Sequence, residues 1–191
     1  MPSVFLLLAL LQSPPPALDN EYVRTTRDTT TCGDGGDECQ DRILVALGPI
    51  ELDGRKMNRG DIAVFRTGER YGAPAGRFLE VVIKPGHPPA SAPGVRIAPD
   101  KNAILHDGRD FFVFEEKLDP GDTRARHSHS QRVIIVLNKT RLQQWPDGQA
   151  EIFRDQIPDD VRFNPPVVHV VKTVGELPLR NIVIEFKPQE R

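Results

Sequence analysis

Apolar positions along the chain fall in short runs separated by turn residues. Arg42–Leu47, Phe78–Lys84, Phe111–Lys117, Arg132–Leu137 and Asn181–Lys187 are each rich in Val, Ile, Leu or Phe. Runs of this length, bounded by Gly, Pro, Asn and Asp, read as strands. Gly60–Arg66 and Asp160–Asn164 open after turn signals, Phe78–Lys84 and Asn181–Lys187 both end at Lys-Pro, and Asp119-Pro120-Gly121 stops Phe111–Lys117. No segment longer than about ten residues carries a helical stripe. The expected fold is all-β, and 15 Gly with 18 Pro in 191 residues agree with it. Pro at that density breaks helices and is excluded from central strands.

The runs repeat in order. Arg42–Leu47 resembles Arg132–Leu137, Gly60–Phe65 resembles Asp159–Asn164, and Val81–Pro85 resembles Ile184–Pro188. The separation between copies widens along the chain, as insertions such as the Gln143–Gly148 hairpin would make it. Chance likeness of short β-rich strings is the plain alternative, and three collinear matches weigh against it. Phe111–Lys117 takes Tyr22–Thr26 as its counterpart. The Pro-rich stretch His87–Gly94 joins the copies, so the expected units are residues 21–95 and 100–188, after an extension of residues 1–20.

Formal net charge is −2, from 25 basic and 27 acidic residues. Without a cationic excess, nucleic acid is not the expected partner. Val4–Leu11 is a run of eight apolar residues, too short to span a bilayer and suited to the apolar region of a secretory signal. The alternative is an N-terminal strand or helix packed on the domain. No Lys or Arg precedes the run, and no clean A-x-A site follows it. The two cysteines, Cys32 and Cys39, flank a Gly-rich turn. In an exported protein they suit a small disulfide loop; in a reducing compartment they are two thiols. The expected location is therefore periplasmic or secreted, or cytoplasmic if the run is not a signal.

The densest chemistry is Gly121–Arg132, where His127 and His129 precede an apolar strand. Strand residues two apart share a face, so both imidazoles project together, with Gln131 following if no bulge intervenes. His169 also opens an apolar strand. Neutral imidazoles are the commonest metal ligands, and three of them leave an open position on an ion. The alternative is a polar barrel lining without metal.

G-x5-H-x-H followed by a strand, then P-x2-3-H some forty residues later, resembles the two motifs of the cupin superfamily. The doubled copy resembles a bicupin, from about Tyr22 to Pro188. The resemblance implies two tandem double-stranded β-helix, or jelly-roll, barrels. It implies that His127, His129 and His169 are metal ligands in the second, and a homodimer is compatible with it. The first half is a degenerate copy, because Asp37 and Cys39 stand where His127 and His129 do, with Arg70 and Tyr71 near the third position. One departure matters: the carboxylate expected after H-x-H is missing. Gln131 is the candidate fourth ligand, or a group orienting a bound water. Arg132 could point inward and favour an anionic ligand. Glu185 is a conceivable substitute ligand, although a solvent-facing strand carboxylate is the default. Zn, Fe, Ni, Cu and Mn all suit three histidines.

Arg124 is a surface charge by default, or a clamp for a ligand carboxylate at the barrel mouth. Arg126 should face away. Glu115 and Glu116 are adjacent on a strand, so they point to opposite sides and form no dyad. Trp145 is a packed hairpin tip or a lid, and His87 and His106 are loop residues. Two functions follow: a metal-dependent enzyme of dioxygenase or isomerase type acting on a small organic molecule, or a noncatalytic module that binds one.

Overall fold

The computed structural model describes residues 17–30, 39–86, 88 and 101–187. These residues form strands and no helix. The strands of the first half are β1 (Leu18–Asp19), β2 (Val23–Arg27), β3 (Arg42–Leu52), β4 (Arg55–Met57), β5 (Ile62–Phe65) and β6 (Ala75–Ile83). Those of the second half are β7 (Asn102–Asp107), β8 (Phe111–Leu118), β9 (Thr123–His129), β10 (Arg132–Val136), β11 (Thr140–Pro146), β12 (Ile152–Gln156), β13 (Val161–Asn164), β14 (Val167–Thr173) and β15 (Leu179–Phe186). The apolar run Val4–Leu11, Cys32, Asp37 and His87 lie outside the described residues, while Cys39 is described and buried.

Every strand pair is antiparallel. The first sheet runs β1-β2-β6-β3-β4, with β5 also on β3; the second runs β13-β10-β15-β8-β7; the third runs β12-β11-β14-β9. The repeat read from the sequence is visible in the pairings. Arg42 pairs with Phe65 and Val82, and Arg132 pairs with Asn164 and Glu185. The bonds that follow also correspond: Gly60 N donates to Ala46 O, and Asp159 N donates to Val136 O. The neighbours β2-β6-β3-β5 of the first sheet thus match β8-β15-β10-β13 of the second. Among the described residues, the third sheet has no counterpart in the first half.

Alternation along the strands decides what each face does. Ile43, Val45, Leu79 and Val81 of the first sheet meet Val113, Val133, Ile135, Ile182, Ile184 and Phe186 of the second in one core. Each such side chain contributes about 1.5–3 kcal/mol of transfer free energy. The opposite face of the second sheet turns toward the third, and the chamber between them holds the histidines. The second sheet is therefore covered on both sides, which is why β10 and β15 read as near-continuous apolar runs. Asp159 ties the halves: its carboxylate accepts from Arg59 at 2.7 Å and Arg77 at 2.5 Å. It sits at φ 68° in the turn before β13, a conformation that Asp tolerates better than most residues. At the other turn named from sequence, Gly121 takes φ 84° and Asp122 N donates to Asp119 O at 3.0 Å. That is the geometry a Pro-Gly turn of type II requires.

Candidate metal centre

His127 and His129 project from the same face of β9. His169 on β14 lies directly opposite His127 in the strand register, next to a bulge between His169 and Val171. Directly opposed residues have Cβ atoms about 4.5–5.5 Å apart. Two residues on one strand and one on its neighbour therefore converge without loop contributions. All three are buried, and their ligand atoms lie within 4.8 Å of one another. His127 Nε2 is 3.1 Å from His129 Nε2 and 3.1 Å from His169 Nε2.

The ring partners show what those short distances mean. His127 Nδ1 is 2.8 Å from the carbonyl of Ala125, which can only accept, so Nδ1 carries the proton. His129 Nδ1 is 2.7 Å from Glu185 Oε2 and, with that carboxyl ionised, donates to it. In the neutral rings both Nε2 atoms are then lone pairs facing each other, and no hydrogen bond joins them. Burial holds the rings neutral, pushing His127 down to about 4 and His129 and His169 to about 2. Repulsion from Arg124 adds to this at His127 and from Arg132 at His129. Lone pairs crowded at this spacing are relieved by a cation. Ligands at about 2.0–2.1 Å from one ion stand roughly 3–3.5 Å apart, so the donor set fits a divalent metal.

Glu185 is only 1% exposed, which overturns its default as a solvent-facing carboxylate. It reaches from β15 across the chamber, and its Oε1 also accepts from Ser130 N at 2.7 Å. Burial pushes its carboxyl up to about 7, against the pull of the Ser130 bond and of Arg132. It holds the His129 ring and its tautomer, as outer carboxylates do at metal sites. In pairing register Glu185 stands opposite Arg132, and pattern reading alone could not see that the strand is covered on both faces.

β9 ends at His129, so Gln131 does not extend the inward row. Its carbonyl accepts from Phe186 N, and its buried Oε1 makes no hydrogen bond. Arg124 is not a surface charge; it is buried and ion-paired with Glu116 at 2.7 Å. Burial pushes the Glu116 carboxyl up, but Arg124 and a bond from Asn181 bring it below the usual range. Glu115 faces the other way, onto Arg180, as the alternation requires. Arg126 is two-thirds exposed and pairs with Asp147. Arg132 is buried, and its Nη1 donates to the carbonyls of Ser130 and Pro165 at 3.2 and 2.9 Å. In the first half, Tyr71 donates to Glu80, with the Arg42 guanidinium 5.3 Å above its ring.

Beside the triad is a cavity of about 40 Å³, lined by His129, His169, Glu116 and Arg132, and by Arg154 and Arg162. Sequence reading singled out neither of the last two. The signal was present in the alternation Val161-Arg162-Phe163-Asn164, where the apolar pair enters the core and the polar pair enters the chamber.

Two antiparallel sheets packed around inward histidines from adjacent strands give the second half the architecture of a cupin-type jelly roll. Several solved structures resemble it. A cupin 2 conserved barrel domain protein from Leptotrichia buccalis is similar over 93% of this chain and 93% of its own, at 10% identity and TM-score 0.49. A cupin domain from Bordetella pertussis Tohama I is similar over 53% of this chain and 99% of its own, at 17% identity and TM-score 0.42. A DMSP lyase from Ruegeria pomeroyi DSS-3 is similar over 50% of this chain and 53% of its own, at 15% identity and TM-score 0.38. None is close enough to carry an activity across. No family model and no curated protein matches the chain. No helix among the described residues is long and apolar enough to cross a membrane.

Proposed function

We propose that the protein is a metal-binding cupin. In this reading the Nε2 atoms of His127, His129 and His169 hold one divalent ion, and a small organic molecule occupies the adjoining cavity. The observation that carries it is the pair of 3.1 Å contacts between buried, neutral ring nitrogens whose other faces are tied down at His127 and His129. A bound ion would supply Lewis-acid chemistry, and iron or copper would add redox chemistry of the dioxygenase type. The chain's own groups orient the site: Ala125 O fixes His127, Glu185 fixes His129, and Arg132 adds a positive wall.

A noncatalytic binding module is the second reading. Its support is that both carboxylates of the chamber are engaged, Glu185 by His129 and Ser130, Glu116 by Arg124 and Asn181. Neither stands ready as a general base. Elemental analysis of purified protein tests the shared part: one ion per chain in the wild type and none in His169→Ala supports it, and equal content in both contradicts it. Turnover or oxygen consumption with a bound ligand separates enzyme from module.

The first half, residues 21–95, serves in this reading as scaffold to the second, residues 100–188. Export with removal of the N-terminal run would leave Cys32 and Cys39 to close a short loop, worth about 2–3 kcal/mol in the chain-entropy model. Intact mass from the native host checks both: a full-length mass with two alkylatable thiols would contradict them.

A further inference from the structure

The cavity beside the histidines carries more positive charge than its neighbours balance. Arg132 lines it from β10, Arg154 from β12 and Arg162 from β13, so three strands of two sheets aim guanidinium groups at one small space. Arg132 is buried and donates to the carbonyls of Ser130 and Pro165, which are neutral. Arg162 Nη2 donates to Gln156 Oε1 at 2.6 Å, and its Nε is ion-paired at 3.2 Å with Asp160, whose carboxylate is half exposed to solvent. Arg154 has no ion pair among the described residues. Of the chamber's carboxylates, Glu116 is paired with Arg124, while Glu185 is hydrogen-bonded to the neutral His129 and offsets Arg132 alone. Three neutral histidines would leave the full charge of a bound ion uncompensated as well.

We propose that Arg132, Arg154 and Arg162 form an anion subsite that takes the carboxylate of a small organic acid, with the metal-facing end of that molecule directed at the histidines. This deepens the reading of the chamber as a small-molecule site and rests on it. The chemistry matches: guanidinium presents planar paired donors to a planar carboxylate. The size matches too, since about 40 Å³ admits roughly three waters or one carboxylate head. Asn164, which shares the inward side of β13 with Arg162, adds an amide donor.

The test is calorimetric titration of the full chain, metal-free and zinc-loaded, with malonate, its neutral counterpart malonamide, and inorganic phosphate. Malonate should bind and malonamide should not. Arg154→Gln and Arg162→Gln lie at half-buried positions and should each weaken malonate binding at least tenfold while zinc stoichiometry stays at the wild-type value. Arg162→Lys should recover only part of the loss, because it restores charge but not the paired donors. His169→Ala should lose zinc yet keep malonate binding in the metal-free state. That result separates the subsite from the metal reading: failure to load zinc with malonate still bound sinks only the metal. Zinc loading with no malonate binding sinks the subsite. Equal binding of malonamide, binding of phosphate alone, or wild-type affinity in both glutamine variants would also overturn it.

Discussion

Glu185 shows how one residue carries both structure and site chemistry. It is buried between two sheets, yet its two oxygens accept from His129 and from the Ser130 backbone. Glu185→Gln keeps the shape but replaces a carboxylate acceptor with an amide, which is a weaker partner for the ring. Metal affinity should fall about 10–100-fold, as other outer-sphere changes do, with little change in fold. Competition with a chromogenic chelator measures it, and an unchanged affinity would show that the carboxylate does not support the ring. His127 and His129 were legible from spacing, since i and i+2 on a strand share a face, and His169 from opening an apolar strand and from the resemblance to the cupin motifs. The burial of Glu185 and of Arg124 was not. Their burial depends on which strand lies across the chamber, and no local pattern encodes that.

At the scale of elements, the two halves share strand order because the same apolar alternation recurs in each. Arg42–Leu47 and Arg132–Leu137 pair with equivalent neighbours, as the collinear runs implied. What the repeat did not reveal is that the two sheets face each other and bury one core. Phe111, Ile182 and Ile184 belong to that core and are at most 1% exposed. Ile184→Ala should therefore cost about 2–5 kcal/mol, read from the urea midpoint of unfolding. A loss below about 1 kcal/mol would mean that the sheets are not packed there. Asp159 ties the same layers at the edge through Arg59 and Arg77, both partly exposed. Asp159→Asn should cost less than the core change, and its effect should shrink in high salt.

For the whole molecule, the buried histidines make stability depend on pH. Their folded values lie below the ordinary 6.5, so they add no penalty above it, and stability is lost as pH falls below it. Glu185 has the opposite sign: its value is raised to about 7, so its contribution favours the acid side between about 4.5 and 7. In the metal-free protein, the unfolded chain takes up as many as three histidine protons as pH falls below 6.5, and the native state refuses them. The native state holds one on Glu185 that the unfolded chain has released. The three histidines outweigh Glu185, so the metal-free protein should lose stability as pH falls from 6.5 to 5.5. Urea unfolding at pH 6.5 and 5.5 checks this, and a flat profile would show that the rings are not held neutral.

The central claim is that His127, His129 and His169 hold one ion together, and X-ray absorption at the metal edge of the loaded protein tests it most directly. The account predicts three imidazole nitrogens at about 2.0–2.2 Å in the wild type, with that signal lost in His169→Ala. A spectrum with one imidazole or none, or one unaltered by His169→Ala, would contradict it.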